Sequence, residues 1–467
     1  MTLAETPRYD SGRVSAVGGR AVVLGGSVAG LCAARVLADG FEEVVIVERD
    51  AVPAEPAPRD GAPQTSHPHV LLEAGRATLE DLFPGFTEGV LAAGGLVVDA
   101  GTDMKEYNEG GVLARPPSRL PTYCASRALL EHEIRERVRD VEHVRFQDET
   151  RFTDYLTNAT GATVTGVAVR AADGTERHID ADLVVDATGR TSRTGRWLEH
   201  NGYAAPPTDE VQVDVGYGTV HLERPADDRR LRLVSPSPPE NRGAALIPVE
   251  GGRWELVVQA VHDEQAPADR EAFTTFAESL PLPEIGDLVE SQRWCSDVQQ
   301  YPYPASRRRR YETLDVFPEG LVVTGDALTS FNPVYGQGMS VAALEAVHLH
   351  HALADGGRER LGPRFFDRAA ELVDTVWRLV VGGDFAFPAT TGPKPAGTDL
   401  ANWYVRRLLR RAHTDPVVSE AFARVTRLER PPETLVRPGV VRRVLAPDRS
   451  GGSLRGVVAR LADGVAR

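Results

Sequence analysis

The stretch Ala21-Val-Val-Leu-Gly25-Gly26-Ser27-Val28-Ala29-Gly30, with Val44-Val-Ile-Val-Glu48-Arg49 shortly after it, decides the fold. An apolar strand runs into a glycine-rich turn, a helix follows, and a second apolar strand ends in an acid. That order predicts a βαβ nucleotide-binding unit over Ala21 to Glu48. Gly25 permits the tight turn, the small Ser27 lets the backbone approach a pyrophosphate, and Gly30 allows helix and strand to pack closely. Gly26, Val28 and Ala29 complete the turn and open the helix, whose free N–H groups and dipole favour an anion. Glu48, with Arg49 beside it, is placed to accept hydrogen bonds from ribose hydroxyls. Ser27 stands where the usual pattern has its second glycine, so a ligand-free glycine turn is the competing reading of this stretch alone.

A second glycine-rich stretch lies nearly three hundred residues further on: Gly325-Asp326-Ala327, then Asn332-Pro333-Val334-Tyr335-Gly336-Gln337-Gly338-Met339. Leu321 to Asp326 reads as a strand that ends in an acid, which suits a ribityl hydroxyl. Pro333, Gly336 and Gly338 let the backbone pass close to a flat ring. Gln337 and Met339 open a long helix, and its N–H groups favour the anion formed when a flavin is reduced. A loop that merely caps a helix is the plain alternative. Taken together, the two stretches ask for one ligand long enough to reach both, and FAD is the candidate.

The rest of the chain bounds the answer. A length of 467 residues predicts two or three interleaved domains. The net charge of -14 argues against nucleic acid and anionic membrane as partners. Lys105 and Lys394 are the only lysines, which makes a catalytic lysine an unpromising idea. Cys32, Cys124 and Cys295 are scattered and odd in number, so a reduced, cytoplasmic setting without a structural metal is expected. No apolar run reaches the roughly 20 residues of a membrane span. The expected organisation is a flexible N-terminus (1–20), a first part of the nucleotide domain (21–205), an inserted antiparallel-sheet substrate domain (206–304), a second part of the nucleotide domain (305–355) and a C-terminal helical region (356–467). In the inserted sheet, Tyr217, Leu246, Trp254 and Leu256 are the candidate roof of a substrate pocket. Ser126 is the expected N-cap of a helix beginning at Arg127.

These blocks, in this order, resemble the FAD-dependent monooxygenases of the aromatic hydroxylase fold. The resemblance is closer to a branch that includes the flavin epoxidases of polyether antibiotic biosynthesis. It rests on both glycine stretches, on Arg59-x-Gly61-x-Pro63-Gln64-x-x-His67-x-His69, on Ser126-Arg127, and on Asp182-Leu-Val-Val-Asp186-Ala-Thr188-Gly189-Arg190. It implies an α/β fold: a Rossmann-like FAD-binding domain of the glutathione reductase type, an inserted antiparallel β-sheet and a helical C-terminal region. It also implies FAD carrying a C4a-hydroperoxide that passes one oxygen atom to a hydrophobic secondary metabolite, dioxygen being the co-substrate. Epoxidation of an alkene is the first expectation, because it asks little acid–base help and no such pair stands out. Arg127 would lie near the pyrophosphate or ribityl chain, Asp326 on the ribityl, and Gly336 to Met339 along the ring. Gln64, His67 and His69 would lie near the ring's face or edge, though loop packing explains the histidines equally well.

One departure bears on the electron source. The family's middle block carries an acid that serves both FAD and NADPH, and Thr188 stands in its place. NADPH or NADH is therefore expected to act directly or through a separate flavin reductase. Aromatic hydroxylation by the same intermediate and a prenyl or alkene reductase are the alternatives, the latter because it shares an Asn-Pro before the glycines. A flavin halogenase is disfavoured, since its Trp-x-Trp motif and active-site lysine are not evident. A non-catalytic flavin-binding protein is the remaining class.

Overall fold

The computed structural model describes residues 1–59 and 61–447. Strand Gly18–Leu24 (β1), helix Val28–Leu37 (α1) and strand Phe41–Val47 (β2) form the expected βαβ unit. β1 and β2 pair in parallel, Ala21 opposite Val44 and Leu24 opposite Val47. The full sheet has five parallel strands: Leu321–Val323, Leu183–Asp186, β1, β2 and Val144–Gln147, in that spatial order. Its central strands read as unbroken apolar runs because both faces are covered. Ala21 and Val23 point into the helical core with Leu31 and Val36. Val22 and Leu24 point the other way, onto a three-stranded antiparallel sheet through Val164, Val167 and Val169.

The second large layer is an eight-stranded sheet built around Thr208–Glu223, Arg242–Val249, Arg253–Val261 and Gln299–Arg309. It also recruits Met104–Asn108, paired in parallel with Leu231–Val234 and followed by Gly111–Val112 at one edge, and Thr329–Ser330 at the other. The sheet thus reaches beyond the expected 206–304 segment and ties it at both edges to the nucleotide-binding part.

The roof expectation is corrected by strand alternation. Leu246, Trp254 and Leu256 are fully buried on the far face, against the helices Arg270–Glu278 and Pro283–Ser291. Their neighbours one position away, Ala245, Ile247 and Val257, face the large cavity together with Tyr217. A one-residue step along a strand exchanges faces, and both faces here are apolar, so composition could not rank them.

The N-terminus is also corrected. Residues 1–20 are not a loose tail: the Met1 ammonium donates to the Glu371 carbonyl at 3.0 Å and to Thr375 Oγ1 at 2.8 Å. Thr2 is fully buried, Leu3 N donates to the Leu428 carbonyl, and β1 already begins at Gly18. The polar composition of this segment is satisfied by specific partners on distant helices. The C-terminal region is helical through Leu361–Asp384, Thr398–Ala412, Pro416–Thr426 and Pro438–Leu445. The part of that expected helical region beyond 447 lies outside the described residues.

Candidate active site

The two glycine stretches meet across one cavity of about 1880 Å³. At the first, Gly25 takes φ 104°, and a Cβ there would stand 2.6 Å from the Ala187 carbonyl oxygen. Gly30 packs closer still, since a Cβ would meet the Gly25 oxygen at 1.9 Å. Gly25, Ser27, Val28 and Ala29 line the cavity at the start of α1. Gly26 and Gly30 do not reach the surface of the cavity and act from behind it. Gly26 N donates to Glu48 Oε2 at 2.8 Å, so the acid at the end of β2 also holds the turn in shape.

Glu48 belongs to a buried charge network larger than the sequence suggested. Arg59 Nη1 lies 3.2 Å from Glu48 Oε2, and Arg59 Nη2 lies 2.6 Å from Glu131 Oε1. Glu131 also meets Arg127 at 3.1 Å and Arg135 at 3.5 Å, and accepts from Ser27 Oγ at 2.6 Å. Burial opposes the charge on Glu131, but Arg127 and Arg59 outweigh it and hold its carboxyl below the usual range. Burial likewise opposes the charge on Arg59, and Glu131 and Glu48 hold its guanidinium above its ordinary value. Such a network is stable only when complete. Ser126 caps its helix as expected, its Oγ accepting from Leu129 N at 3.1 Å, and this sets Arg127 on the first turn. Arg127 Nε is buried with no hydrogen-bond partner among the described residues, while the residue lines the cavity. An unpaired cationic donor beside a helix N-terminus fits a pyrophosphate. Arg49 sits on the exposed rim, with Nη2 on the Gly61 carbonyl at 2.8 Å.

The loop after β2 brings Gln64 and His67 into the same cavity. His67 Nδ1 lies 2.8 Å from Thr219 Oγ1 on the eight-stranded sheet, and its ring stands 5.3 Å from that of Tyr301. His69 Nδ1 bonds the His67 carbonyl at 2.8 Å. Burial, with a smaller push from His221, lowers the His67 pKa to about 4, so its imidazole is neutral at pH 7.

At the second stretch, Asp326 opens onto the cavity surface but lies deep within it, and desolvation raises its pKa against the pull of Arg127, Arg190 and Arg309. The turn is a short 3-10 helix, Pro333–Tyr335, closed by Gly336 in the left-handed region at φ 67°. Pro333 and Gly338 present open surface to the cavity, and Gln337 and Met339 line it. Gln337 Oε1 is buried without a partner among the described residues. The helix expected from Gln337 begins at Gly338 and runs to Gly356.

Two carboxyl groups of this cavity have no signature in the sequence. Asp384, at the end of Leu361–Asp384, accepts from Asn332 Nδ2 at 2.8 Å, and desolvation, against bonds from Asn332 and Tyr335, pushes its pKa up to about 7. Glu106, on the recruited strand Met104–Asn108, faces the cavity, and desolvation, eased by Asn108, likewise takes it to about 7. The middle block has a structural task. Asp186 accepts from Thr188 N at 2.9 Å and from the hydroxyls of Thr188, Ser192 and Thr194, which knots the turn after its strand.

The sequence pattern described as "FAD binding domain" runs through residues 20–381. Protein Rv3254 of Mycobacterium tuberculosis is 34% identical over 435 residues, covering 89% of this chain and 90% of that protein. The fold is shared with p-nitrophenol 4-monooxygenase PnpA from Pseudomonas putida DLL-E4, at 16% identity and TM-score 0.62, with 89% and 98% of the two chains covered. It is also shared with the flavin-dependent brominase Bmp2, at 16% identity and TM-score 0.56, with 96% and 99% covered.

Proposed function

This chain belongs to the FAD binding domain family, and we propose that it is an FAD-dependent monooxygenase that adds one oxygen atom to a hydrophobic small molecule. Bound FAD would supply the activation of dioxygen. The chain's own residues bind, orient and exclude water. Ser27, the N–H groups opening α1 and the free Nε of Arg127 would hold the pyrophosphate. Glu48 would take the ribose, Asp326 the ribityl chain, and the Pro333 to Met339 turn the ring.

The observation that carries this reading is the continuity of one cavity from both turns to the apolar sheet face of Val213, Leu233, Ile247 and Val257. Transfer of oxygen to an alkene needs positioning and a dry pocket more than acid–base help. Epoxidation is therefore the first reading of the chemistry. Glu106 favours a second reading, hydroxylation of an aromatic ring, because a carboxyl with a pKa of about 7 in the pocket wall suits the proton of a phenol. Thr188 spends its donors on Asp186, which favours a partner flavin reductase over direct use of NADPH or NADH through this block.

The test is product mass from a candidate polyene or polycyclic substrate under isotopically labelled dioxygen. One heavy oxygen in the product is expected. Product formed equally well without dioxygen, with two hydrogens gained, would overturn the reading in favour of a reductase. A halide in the product would point to a halogenase.

A further inference from the structure

Asp384 reaches the second glycine turn from a different helix. Its Oδ1 accepts from Asn332 Nδ2 at 2.8 Å and from Tyr335 Oη at 3.1 Å. Those two residues bracket Pro333 and Val334, so one oxygen ties both ends of the turn. Asn332 Oδ1 in turn accepts from Val334 N at 3.2 Å and meets Tyr217 Oη at 3.5 Å. Gly383 makes room for the grip, because a Cβ there would stand 2.5 Å from Tyr335 Oη.

This is an expensive place for a carboxylate. Asp384 is only 4% exposed, it sits at the C-terminal end of a helix where the dipole disfavours negative charge, and its Oδ2 is buried without a partner among the described residues. A carboxyl with one oxygen unsatisfied costs stability at such a place, so its two bonds to the turn are what it contributes there. The titratable groups that face it are Tyr335 from the turn and Tyr217 from the sheet, both pushed well above their ordinary range by burial. His262 is reached only through Thr390, whose Oγ1 donates to the Asp384 carbonyl.

We propose that Asp384 is a positioning residue for the isoalloxazine ring: by gripping Asn332 and Tyr335 it sets Pro333 and Gly336 where the ring of FAD is held. The inference rests on the FAD reading above. It has a consequence in pH. Asp384 ionises near pH 7, and the charged oxygen is the stronger acceptor, so the turn is gripped more tightly as pH rises through that value.

The experiment compares FAD-loaded wild type with D384N and D384A. The readouts are FAD affinity by calorimetry and the visible flavin spectrum, on both sides of pH 7. Asparagine keeps an acceptor at Oδ1 without the charge. The wild-type spectrum is expected to shift across that pH, and D384N is expected to bind FAD within about threefold of wild type with a smaller response to pH, Glu106 and Glu345 keeping theirs. D384A should bind about tenfold or more weakly, with a displaced spectrum. Should D384A fail to fold, Tyr335→Phe removes one of the two bonds and should give an intermediate spectrum. Wild-type affinity and spectrum in D384A, or in Tyr335→Phe, would overturn the inference, as would a pH response in D384N as large as that of wild type. Wild type that takes up no FAD at all would instead overturn the FAD reading itself.

Discussion

The two glycine turns that face the cavity are supported in opposite ways. The first is braced by charge. Glu48, Arg59, Glu131 and Arg127 form a closed network in which each buried ion has a counter-ion within 3.2 Å. The second is braced by lone acids. Among the described residues, Asp384 and Glu345 each stand buried with one oxygen unsatisfied, and no arginine pairs with either. Glu345 accepts from Thr324 Oγ1 and Gly325 N, both at 2.7 Å, directly behind Asp326. The difference follows from what each turn would hold. A pyrophosphate brings permanent negative charge, so its cradle needs fixed cations with their own partners. A flavin ring changes charge during turnover, and permanent charge close behind it would favour one state over the other.

The sharpest way to break this contrast is to open the charged network. Glu131→Ala leaves Arg59, Arg127 and Arg135 buried without their shared partner, and should cost about 3–5 kcal/mol of stability. Urea unfolding measures it, and a loss below about 1 kcal/mol would show that the network is not the brace of the first turn. Glu48→Arg comes next. It removes the bonds to Gly26 N and Arg59 as well as those expected to the ribose, at about 1.5–3 kcal/mol for each charge-assisted bond. FAD affinity equal to wild type would remove Glu48 from the site.

Asp326→Ala should act more gently on binding than on turnover, because the pyrophosphate end stays held while the ring loses register. The expectation is a loss of FAD affinity of about tenfold or less beside a larger fall in rate. An unchanged rate would separate Asp326 from the ring. A further effect, on stability rather than on binding, is expected at Glu345, whose pKa desolvation lifts to about 7, against bonds from Gly325 and Thr324. A carboxyl raised in the folded state favours folding while protonated, so that contribution is complete below its unfolded value and is lost as pH rises through about 7. Glu345→Gln should therefore flatten the decline of melting temperature between pH 4.5 and about 7. An equally steep decline in the variant would assign it to other groups.

Much of the first turn was legible because its parts are neighbours in the chain. Gly25 to Gly30 and Glu48 occupy one βαβ unit, and the N-cap Ser126 announces Arg127. The second turn was legible for the same reason, as Asn332 to Met339 are contiguous. The supports were not. Ser27 and Glu131 are 104 residues apart, and Asn332 and Asp384 are 52 apart. Nothing local distinguishes these two acids from the many others on helices. The cavity face of the sheet was hidden differently. Leu246 and Ile247 have the same chemistry, and only the position of the helices Arg270–Glu278 and Pro283–Ser291 decides which of them looks at the cavity.

By itself, then, the order of strand, glycine turn, helix and acid determined the nucleotide-binding core and the cavity-facing turns, because backbone sterics and helix-end hydrogen bonding act over a few residues. Tertiary structure alone decided which acids stand behind those turns, which sheet face is open, and that the first twenty residues are held rather than loose. Those outcomes depend on burial and on pairing across long loops, where the cost of a charge is set by what the rest of the chain places beside it.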